Sequence, residues 1–368
     1  MNSIDYLKKL ISIKSYDTDE NKEIIDYLKG EFSKQVEEII EIKNDNNEKS
    51  NLLVGVNTKL KNIDDAIVLS GHIDTVVADE KNYKTNPYIA SEIDGKIYGL
   101  GSIDMKSFFA NILGNIENLK KIKKPVVIAI TGDEETNFEG VKKVTQKMNE
   151  LNIKPMFSII GEPTNSEICS ASKSCCLYSI QVFGKSCHSS MPFNGVNANY
   201  ILANLVLEIE KLCYKFKDTT ATCNLISGGE KDNIISGSAK MYFDIRTLAV
   251  SNIQKILDCI DKKIIKLKKK YPGAVINVKN ELEILPLENK QPKLIKELCD
   301  KFGFCETTFT GGCEAGYFQK LGGDAIVFGV GNLNLAHKPN EYAEISEFEA
   351  YNKNLEDIIC YVISKKNR

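Results

Sequence analysis

Short runs of apolar, largely β-branched residues recur along the chain, and polar residues follow each run at once. Stretches with helical spacing separate these runs, which are four or five residues long and cover positions 66–69, 126–130, 157–160 and 325–328. Continuous apolar runs of this length indicate parallel strands that are buried on both faces. We therefore predict an α/β fold whose mainly parallel sheet is flanked by helices.

The pattern changes between residues 173 and 285. Strand-like and helical segments alternate there as strand, helix, strand, helix, strand, at positions 177–183, 199–216, 239–245, the stretch ending before 271, and 274–278. This order is typical of an α+β domain. We predict that residues 173–285 form an inserted domain and that residues 1–172 and 286–368 form the two parts of the domain it interrupts.

Polar residues with metal-binding or acid–base chemistry stand where the parallel-type runs end. In open α/β sheets the ligand crevice lies beyond the carboxyl ends of the strands. The sheet should therefore gather one set of side chains in one crevice: His72, Glu134, Glu135, Glu162 and His337. The chain contains only three histidines, and two of them belong to this set.

Asp104 adds a carboxylate from a glycine-containing loop that precedes a predicted helix over 105–121. Each acidic or imidazole group also has a simpler interpretation. An aspartate at a helix start is most often an N-cap, His72 with Asp74 can make turn hydrogen bonds, and Glu134 with Glu135 can begin a solvated helix. The convergence of all of them at one sheet edge favours a metal site.

Two imidazoles and three carboxylates form a ligand set suited to a pair of zinc-like ions. Such a pair polarises a carbonyl group and lowers the pKa of water. A further carboxylate must stay free of metal to carry the proton, and the neighbours Glu134 and Glu135 can supply one group of each kind. Asp74 is a candidate partner for the second ring nitrogen of His72.

Several motifs, in this order, resemble the M20-type co-catalytic metallopeptidase and deacylase family: Gly71-His72-x-Asp74-Thr75-Val76, Gly101-Ser102-x-Asp104-Met105-Lys106, Glu134-Glu135, Gly161-Glu162-Pro163-Thr164 and Ala336-His337. This family includes aminoacylases, dipeptidases, desuccinylases and acetylornithine deacetylases. The resemblance implies two divalent metal ions, which are expected to be zinc, with cobalt as a possible substitute. It assigns His72 and Glu162 to one metal, Glu135 and His337 to the other, and the bridge to Asp104. Glu134 would be the general acid/base and Asp74 the partner of His72.

The same resemblance implies that the inserted domain is a lid that also forms a homodimer. His188 would reach the partner subunit's active site and donate a hydrogen bond to the developing oxyanion. Asn233 and Arg246 would contact substrate from the lid, where the forked guanidinium suits a carboxylate. Gly312 and Glu314 would contact it from the catalytic domain.

Some stretches favour the acetylornithine deacetylase branch, such as Leu100 within Tyr98-Gly99-Leu100-Gly101 and the Glu314-Ala315 pair. Gly311-Gly312 before Cys313 is instead similar to desuccinylases. We predict removal of an acyl group from an N-acyl amino acid, most simply of acetyl from N-acetylornithine. Succinyl-diaminopimelate desuccinylation, deacylation of another N-acyl amino acid and dipeptide hydrolysis stay open. An inert metal-binding scaffold is disfavoured because every ligand and Glu134 are present.

Composition agrees with a globular enzyme, with 42% hydrophobic and 27% charged residues in 368. The net charge of −2 gives no electrostatic footprint for nucleic acid. No signal peptide and no long apolar run appear, which predicts a cytoplasmic protein without a membrane partner. The eleven cysteines show no ligand spacing and are predicted to be buried free thiols. Cys187 beside His188 leaves a cysteine nucleophile as a minor alternative.

Overall fold

The chain forms two compact units, Met1–Ser172 with Leu287–Arg368 and Lys173–Pro286, each with its own hydrophobic core. The computed structural model describes residues 1–16, 20–45 and 48–366. Among these residues, no helix is both long and apolar enough to cross a membrane. The assignment of one unit to catalysis and the other to a lid stays a prediction.

The part of the first unit that precedes the second unit contains both helices and strands. Its elements are α1 Ser3–Ser12, α2 Lys22–Ser33, β1 Glu38–Lys43, β2 Ser50–Val56, β3 Ile63–His72, β4 Ser91–Ile93, β5 Lys96–Tyr98, α3 Lys106–Gly114, α4 Ile116–Leu119, β6 Val126–Thr131, α5 Glu139–Glu150, β7 Ile153–Ile160 and β8 Ile168–Ser172.

After the second unit, the chain returns to complete the first one. The elements of the second unit are β9 Cys175–Phe183, α6 Ala198–Cys213, β10 Thr219–Gly228, β11 Ser238–Thr247, α7 Val250–Lys270 and β12 Val275–Ile284. Those of the return are β13 Leu287–Glu288, α8 Pro292–Phe302, β14 Glu306–Phe309, α9 Ala315–Leu321, β15 Asp324–Val327, β16 Tyr342–Glu344 and α10 Ile345–Lys366.

In the described part of the first unit, nine strands form one sheet in the order β1-β2-β6-β3-β7-β15-β8-β13, with β14 paired to β8. The central strands β6, β3, β7 and β15 are parallel, whereas β1, β2 and β13 pair antiparallel at the edges. The predicted α/β class is confirmed, and the sheet is mixed. The central strands are parallel because helical crossovers join them, and their residues are buried on both faces.

The helix predicted over 105–121 is wrong in its length, since two helices, α3 and α4, occupy this stretch. They meet at Gly114 and Asn115, which are both poor helix formers. Asn115 N donates to two carbonyls, of Asn111 at 3.0 Å and Ile112 at 3.2 Å. A side chain at Gly114 would collide with Ser3 of α1. Close packing of α1 therefore favours glycine at the break.

The second unit is an antiparallel sheet in the order β10-β11-β9-β12, with α6 and α7 packed on one face. The predicted order of strands and helices lacks β10. Most side chains of β10 are exposed, so this edge strand has no apolar run to reveal it. The cysteines of the chain are free thiols, as predicted, but the prediction that they are buried is wrong for several, since Cys305 and Cys360 are exposed.

Candidate metal centre

Three neighbouring parallel strands deliver the central side chains of the site. His72 is the last residue of β3 and pairs with Thr131, the last residue of β6. On the other side, Ser70 of β3 pairs with Ile160, the last residue of β7. Because the strands end close to one another, the residues that follow them, including Glu134, Glu135 and Glu162, face the same edge of the sheet.

Asp104 lies between the two imidazoles of the cluster. Its Oδ1 is 3.1 Å from His72 Nε2, and its Oδ2 is 3.2 Å from His337 Nε2. Glu162 Oε1 is 3.7 Å from His72 Nε2, and Glu135 Oε1 is 2.9 Å from His337 Nε2. Possible ligand atoms lie within 4.8 Å of one another in three groups: His72 with Asp104 and Glu162, His72 with Glu134 and Glu135, and Asp104 with Glu135 and His337.

The donor set fits a pair of divalent cations. Carboxylates outnumber imidazoles in the cluster, so bringing it together leaves an excess of buried negative charge that cations would neutralise. Glu162 Oε1 is buried and has no hydrogen-bond partner among the described residues. Mixed imidazole and carboxylate ligands suit zinc and similar ions. The geometry groups all five predicted ligands: His72, Asp104, Glu135, Glu162 and His337.

The two imidazoles take up positive charge among these carboxylates. Burial lowers the pKa of His72, but its contacts with Asp104 and Asp74 outweigh burial and raise that pKa well above 6.5. The hydrogen bond to Asp104, and then the one to Glu135, raise the pKa of His337 to about 10. Burial works against ionisation of Asp104, yet both histidines hold its pKa below the usual value. Protons on the histidines thus supply part of the positive charge that this set of acids attracts.

Glu134 differs from its neighbours in its electrostatic setting. Desolvation, followed by the negative charge of Glu162, raises its pKa well above 4.5. No hydrogen bond joins its carboxylate to another described residue, whereas Glu135 accepts one from His337. A carboxylate with a raised pKa beside the ligand cluster is suited to taking up and returning a proton.

Asp74 contacts the cluster through both its main chain and its side chain. His72 Nδ1 is 2.9 Å from the Asp74 main-chain oxygen but 3.6 Å from the carboxylate. The carboxylate instead accepts the main-chain N–H groups of Glu134 at 3.3 Å and Glu135 at 3.0 Å. Asp74 therefore fixes the ring orientation of His72 with its backbone and the loop of the two glutamates with its side chain.

Three residues that the sequence analysis did not select anchor the loop after β6. Asp133 has a positive φ of 65° and precedes Glu134. Lys49 Nζ lies 2.5 Å from Asp133 Oδ1, and Asn44 Nδ2 lies 2.5 Å from Oδ2. Asn44 and Lys49 are distant from Asp133 in sequence and lie in a polar stretch without hydrophobic periodicity, so no sequence signal marked them.

Gly312 lies in the loop before α9, and Glu314 lies beneath the sheet edge, where it is 1% exposed. Glu314 accepts hydrogen bonds from Ser70 Oγ, at 3.0 Å, and from Thr131 Oγ1. Burial raises the pKa of Glu314 to about 7, against the opposing effect of the Thr131 hydrogen bond. In this structure Glu314 thus binds two strand hydroxyls, and its predicted contact with substrate stays a prediction.

The remaining selected residues belong to the second unit. His188 Nδ1 is 2.8 Å from Ser190 Oγ, and the imidazole is exposed. Asn233 lies close to the His188 segment, since its main-chain oxygen accepts a hydrogen bond from Ser189 N at 3.0 Å. Arg246 Nε donates to Asp244 Oδ2 at 2.8 Å. The Cys187 thiol is directed to the Met191 carbonyl at 3.2 Å rather than to His188, which gives a cysteine nucleophile no support.

Comparison with known proteins decides the family. The model of peptidase family M20/M25/M40 matches residues 68–360, which include every residue of the cluster. The chain belongs to this family. Its members are hydrolases, and the M20 assignment agrees with a ligand cluster built on strand ends.

The relatives and solved structures compared with this M20 chain cover almost all of it. The acetylornithine deacetylase of Buchnera aphidicola subsp. Schizaphis graminum is 33% identical over 359 residues, which are 93% of this chain and 92% of the relative. The aminopeptidase PepT from Bacillus cereus has a TM-score of 0.77 at 20% identity and covers 98% of both chains. Bacillus subtilis YXEP, described as a dinuclear metal binding peptidase, has a TM-score of 0.70 at 14% identity, covering 100% of this chain and 98% of its own.

Proposed function

We propose that this M20 hydrolase removes the acyl group from an N-acyl amino acid, with N-acetylornithine as substrate and ornithine and acetate as products. The observation that carries the proposal is Glu134, a carboxylate with a raised pKa and no hydrogen-bond partner among the described residues, beside a ligand set for two cations. The relative from Buchnera aphidicola named acetylornithine deacetylase supports the choice of substrate.

The five cluster ligands would hold two zinc ions, with cobalt as a substitute. His72 and Glu162 would bind one ion, Glu135 and His337 the other, and Asp104, which contacts both histidines, would help to hold both. When bound, the ions would polarise the amide carbonyl and make water a stronger nucleophile at neutral pH. The dinuclear description of Bacillus subtilis YXEP supports a pair rather than a single ion.

Glu134 would move the proton. Its carboxylate would accept a proton from the attacking water and return it to the amine that leaves. Glu134 would transfer the proton and Glu135 would bind metal, because His337 contacts only Glu135 of the two. Asp74 would keep this division in place, since its carboxylate binds the main-chain N–H of both.

The second unit would act as a lid and join two subunits. Tyr200, Leu207, Leu225 and Ile226 expose 64%, 56%, 59% and 54% of their surface on α6 and β10. Apolar residues on an exposed edge strand are suited to pairing with a second copy of the chain. A homodimer formed in this way would let His188 complete the partner subunit's active site.

Substrate orientation would come from Arg246, Asn233 and Gly312. The Arg246 guanidinium would pair with the α-carboxylate of the amino acid, a role for which its forked donors are suited. Asn233 would add an amide donor, and Gly312 would also contact the substrate. These contacts would discriminate N-acyl amino acids from simple amides.

The test is hydrolysis of a panel of acetyl, formyl and succinyl amino acids by the zinc-loaded protein, with dipeptides as competing substrates. We expect the highest kcat/KM with N-acetylornithine, and Glu134→Gln as the matched inactive control. Faster cleavage of succinyl-diaminopimelate or of a dipeptide would replace the proposed substrate. No cleavage of any amide by metal-loaded, folded protein would contradict the proposed reaction.

A further inference from the structure

Glu341 is a buried carboxylate for which the proposed reaction has no use. It is 1% exposed and follows His337 by four positions. Its main-chain oxygen accepts a hydrogen bond from Gly99 N at 3.1 Å, and the next residue, Tyr342, pairs with Tyr98. Glu341 therefore joins the segment that carries His337 to the segment that leads to Asp104.

The Glu341 side chain accepts hydrogen bonds from consecutive residues of the Asp104 loop. Gly101 N donates to Oε2 at 3.1 Å, whereas Ile103 N and Asp104 N donate to Oε1 at 2.8 Å and 3.2 Å. Ser102 Oγ donates to the same Oε1 at 3.4 Å. Main-chain N–H groups that converge on one anion form a nest, and charge-assisted bonds of this kind are stronger than neutral ones.

The loop needs an acceptor at this place. Its residues Gly101 to Asp104 are buried, and a buried N–H without a partner costs free energy. Gly101 adopts a φ of +80°, which turns the backbone away from a regular helix start. Met105, the N-cap of α3, makes no side-chain cap hydrogen bond. Glu341 thus supplies the acceptor for N–H groups of the loop that leads into α3.

Glu341 also binds the main chain of Asp104, the carboxylate at the middle of the ligand cluster. Glu341 Oε1 binds the main-chain N–H of Asp104, while the Asp104 carboxylate faces His72 on one side and His337 on the other, at 3.1 Å and 3.2 Å. A carboxylate that binds two cations must have both its position and its orientation fixed. Holding its main chain meets both conditions, because the side chain of aspartate is short.

We propose that Glu341 is a positioning residue of the metal centre, which holds Asp104 in place to bridge two cations and keeps the His337 segment aligned with it. This inference rests on the proposed function, because it presupposes that Asp104 and His337 bind metal. It predicts that a substitution at Glu341 weakens metal binding although Glu341 itself is not a ligand.

The test measures binding of Zn²⁺ alone and Co²⁺ alone to the full chain by competition with a chromophoric chelator. Glu341→Gln keeps the size of the side chain but places an amide donor among N–H donors. We expect its metal affinity to fall by about 10–100-fold, the usual effect of losing a group that orients a ligand. The absorption bands of bound Co²⁺ should shift as well, since the Asp104 carboxylate would move.

Glu344→Gln is the matched control, because Glu344 lies three residues after Glu341 on β16, is 44% exposed at its side chain and pairs with Lys96 at 3.3 Å. It should bind metal like the wild type. Glu341→Asp, which keeps the charge but is one methylene shorter, should bind with intermediate affinity.

Wild-type metal affinity and an unchanged cobalt spectrum in Glu341→Gln would overturn this inference and leave the proposed function intact. Loss of the folded state in both Glu341 variants without metal, seen by far-ultraviolet circular dichroism, would also overturn it, because the carboxylate would then serve the fold rather than the centre. Failure of the wild-type protein to bind either metal would instead reject the proposed function together with this inference.

Discussion

Replacing Glu314 by glutamine should change how the stability of the metal-free protein depends on pH. Burial raises the pKa of Glu314 from 4.5 to about 7, because the carboxyl lies beneath the sheet edge with Ser70 and Thr131 as its partners. The unfolded chain loses this proton near pH 4.5, whereas the folded chain keeps it until pH rises to about 7. The stability that Glu314 contributes is therefore fully present below pH 4.5 and is lost as pH rises through 7.

The size of the effect follows from the two pKa values. A pKa of 4.5 in the unfolded chain and of about 7 in the folded chain gives a loss of roughly 2–3 kcal/mol when the pH rises from 5 to 8. Glutamine is nearly isosteric with the protonated carboxyl and does not titrate. The free energy of unfolding of Glu314→Gln, measured relative to wild type, should thus increase by about this amount between pH 5 and pH 8.

Urea denaturation of wild type, Glu314→Gln and the surface control Glu344→Gln at several pH values, each with a chelator present, measures this difference. The chelator keeps metal binding out of the comparison. A difference between Glu314→Gln and wild type that stays constant from pH 5 to pH 8 would refute the reasoning, because Glu314 would then be ionised, or neutral, in both states alike.

Three further predictions concern Glu134 with Glu135, His188, and the Lys49–Asp133 ion pair. Glu134→Gln should retain metal while kcat falls by ~10²–10⁴-fold, whereas Glu135→Gln should lose metal; the reverse pattern, in metal analysis and steady-state kinetics, would exchange their roles. His188→Ala should lower kcat far more than it changes KM, and mixing it with Glu134→Gln should restore part of the activity, whereas a mixture that stays inactive after proven subunit exchange would place His188 outside the partner's site. Lys49→Met should lower the free energy of unfolding by about 3 kcal/mol in urea denaturation, because it removes the counter-charge of the buried Asp133 carboxylate. A loss below about 0.5 kcal/mol, typical of a surface substitution, would contradict the buried ion pair.

The sequence predicts both the central strands and the clustering of the metal ligands, because both depend on buried parallel strands. Strands β3, β6 and β7 are buried runs of β-branched residues, which leave a clear hydrophobic signal. Parallel strands then bring the residues after their carboxyl ends together, whatever their separation in sequence. The family resemblance adds roles to these residues, and the geometry of His72, Asp104 and His337 is compatible with those roles.

The features that the sequence does not predict depend on contacts that leave no periodic hydrophobic pattern. The exposed edge strand β10 has neither a buried face along most of its length nor an apolar run. The division of the Asp74 contacts between its backbone and its side chain depends on loop geometry. Asn44, Lys49 and Glu341 support the centre from places distant in the chain, and only the folded backbone brings them to Asp133 and Asp104.

Metal titration of the chelator-treated protein, with release of ornithine from N-acetylornithine as the readout, tests the central claim most directly. The proposed function predicts no turnover without metal, recovery as Zn²⁺ is added, and no recovery in Asp104→Ala at any Zn²⁺ concentration that saturates the wild type. Full turnover by wild-type protein whose metal content has been verified as nil would contradict it.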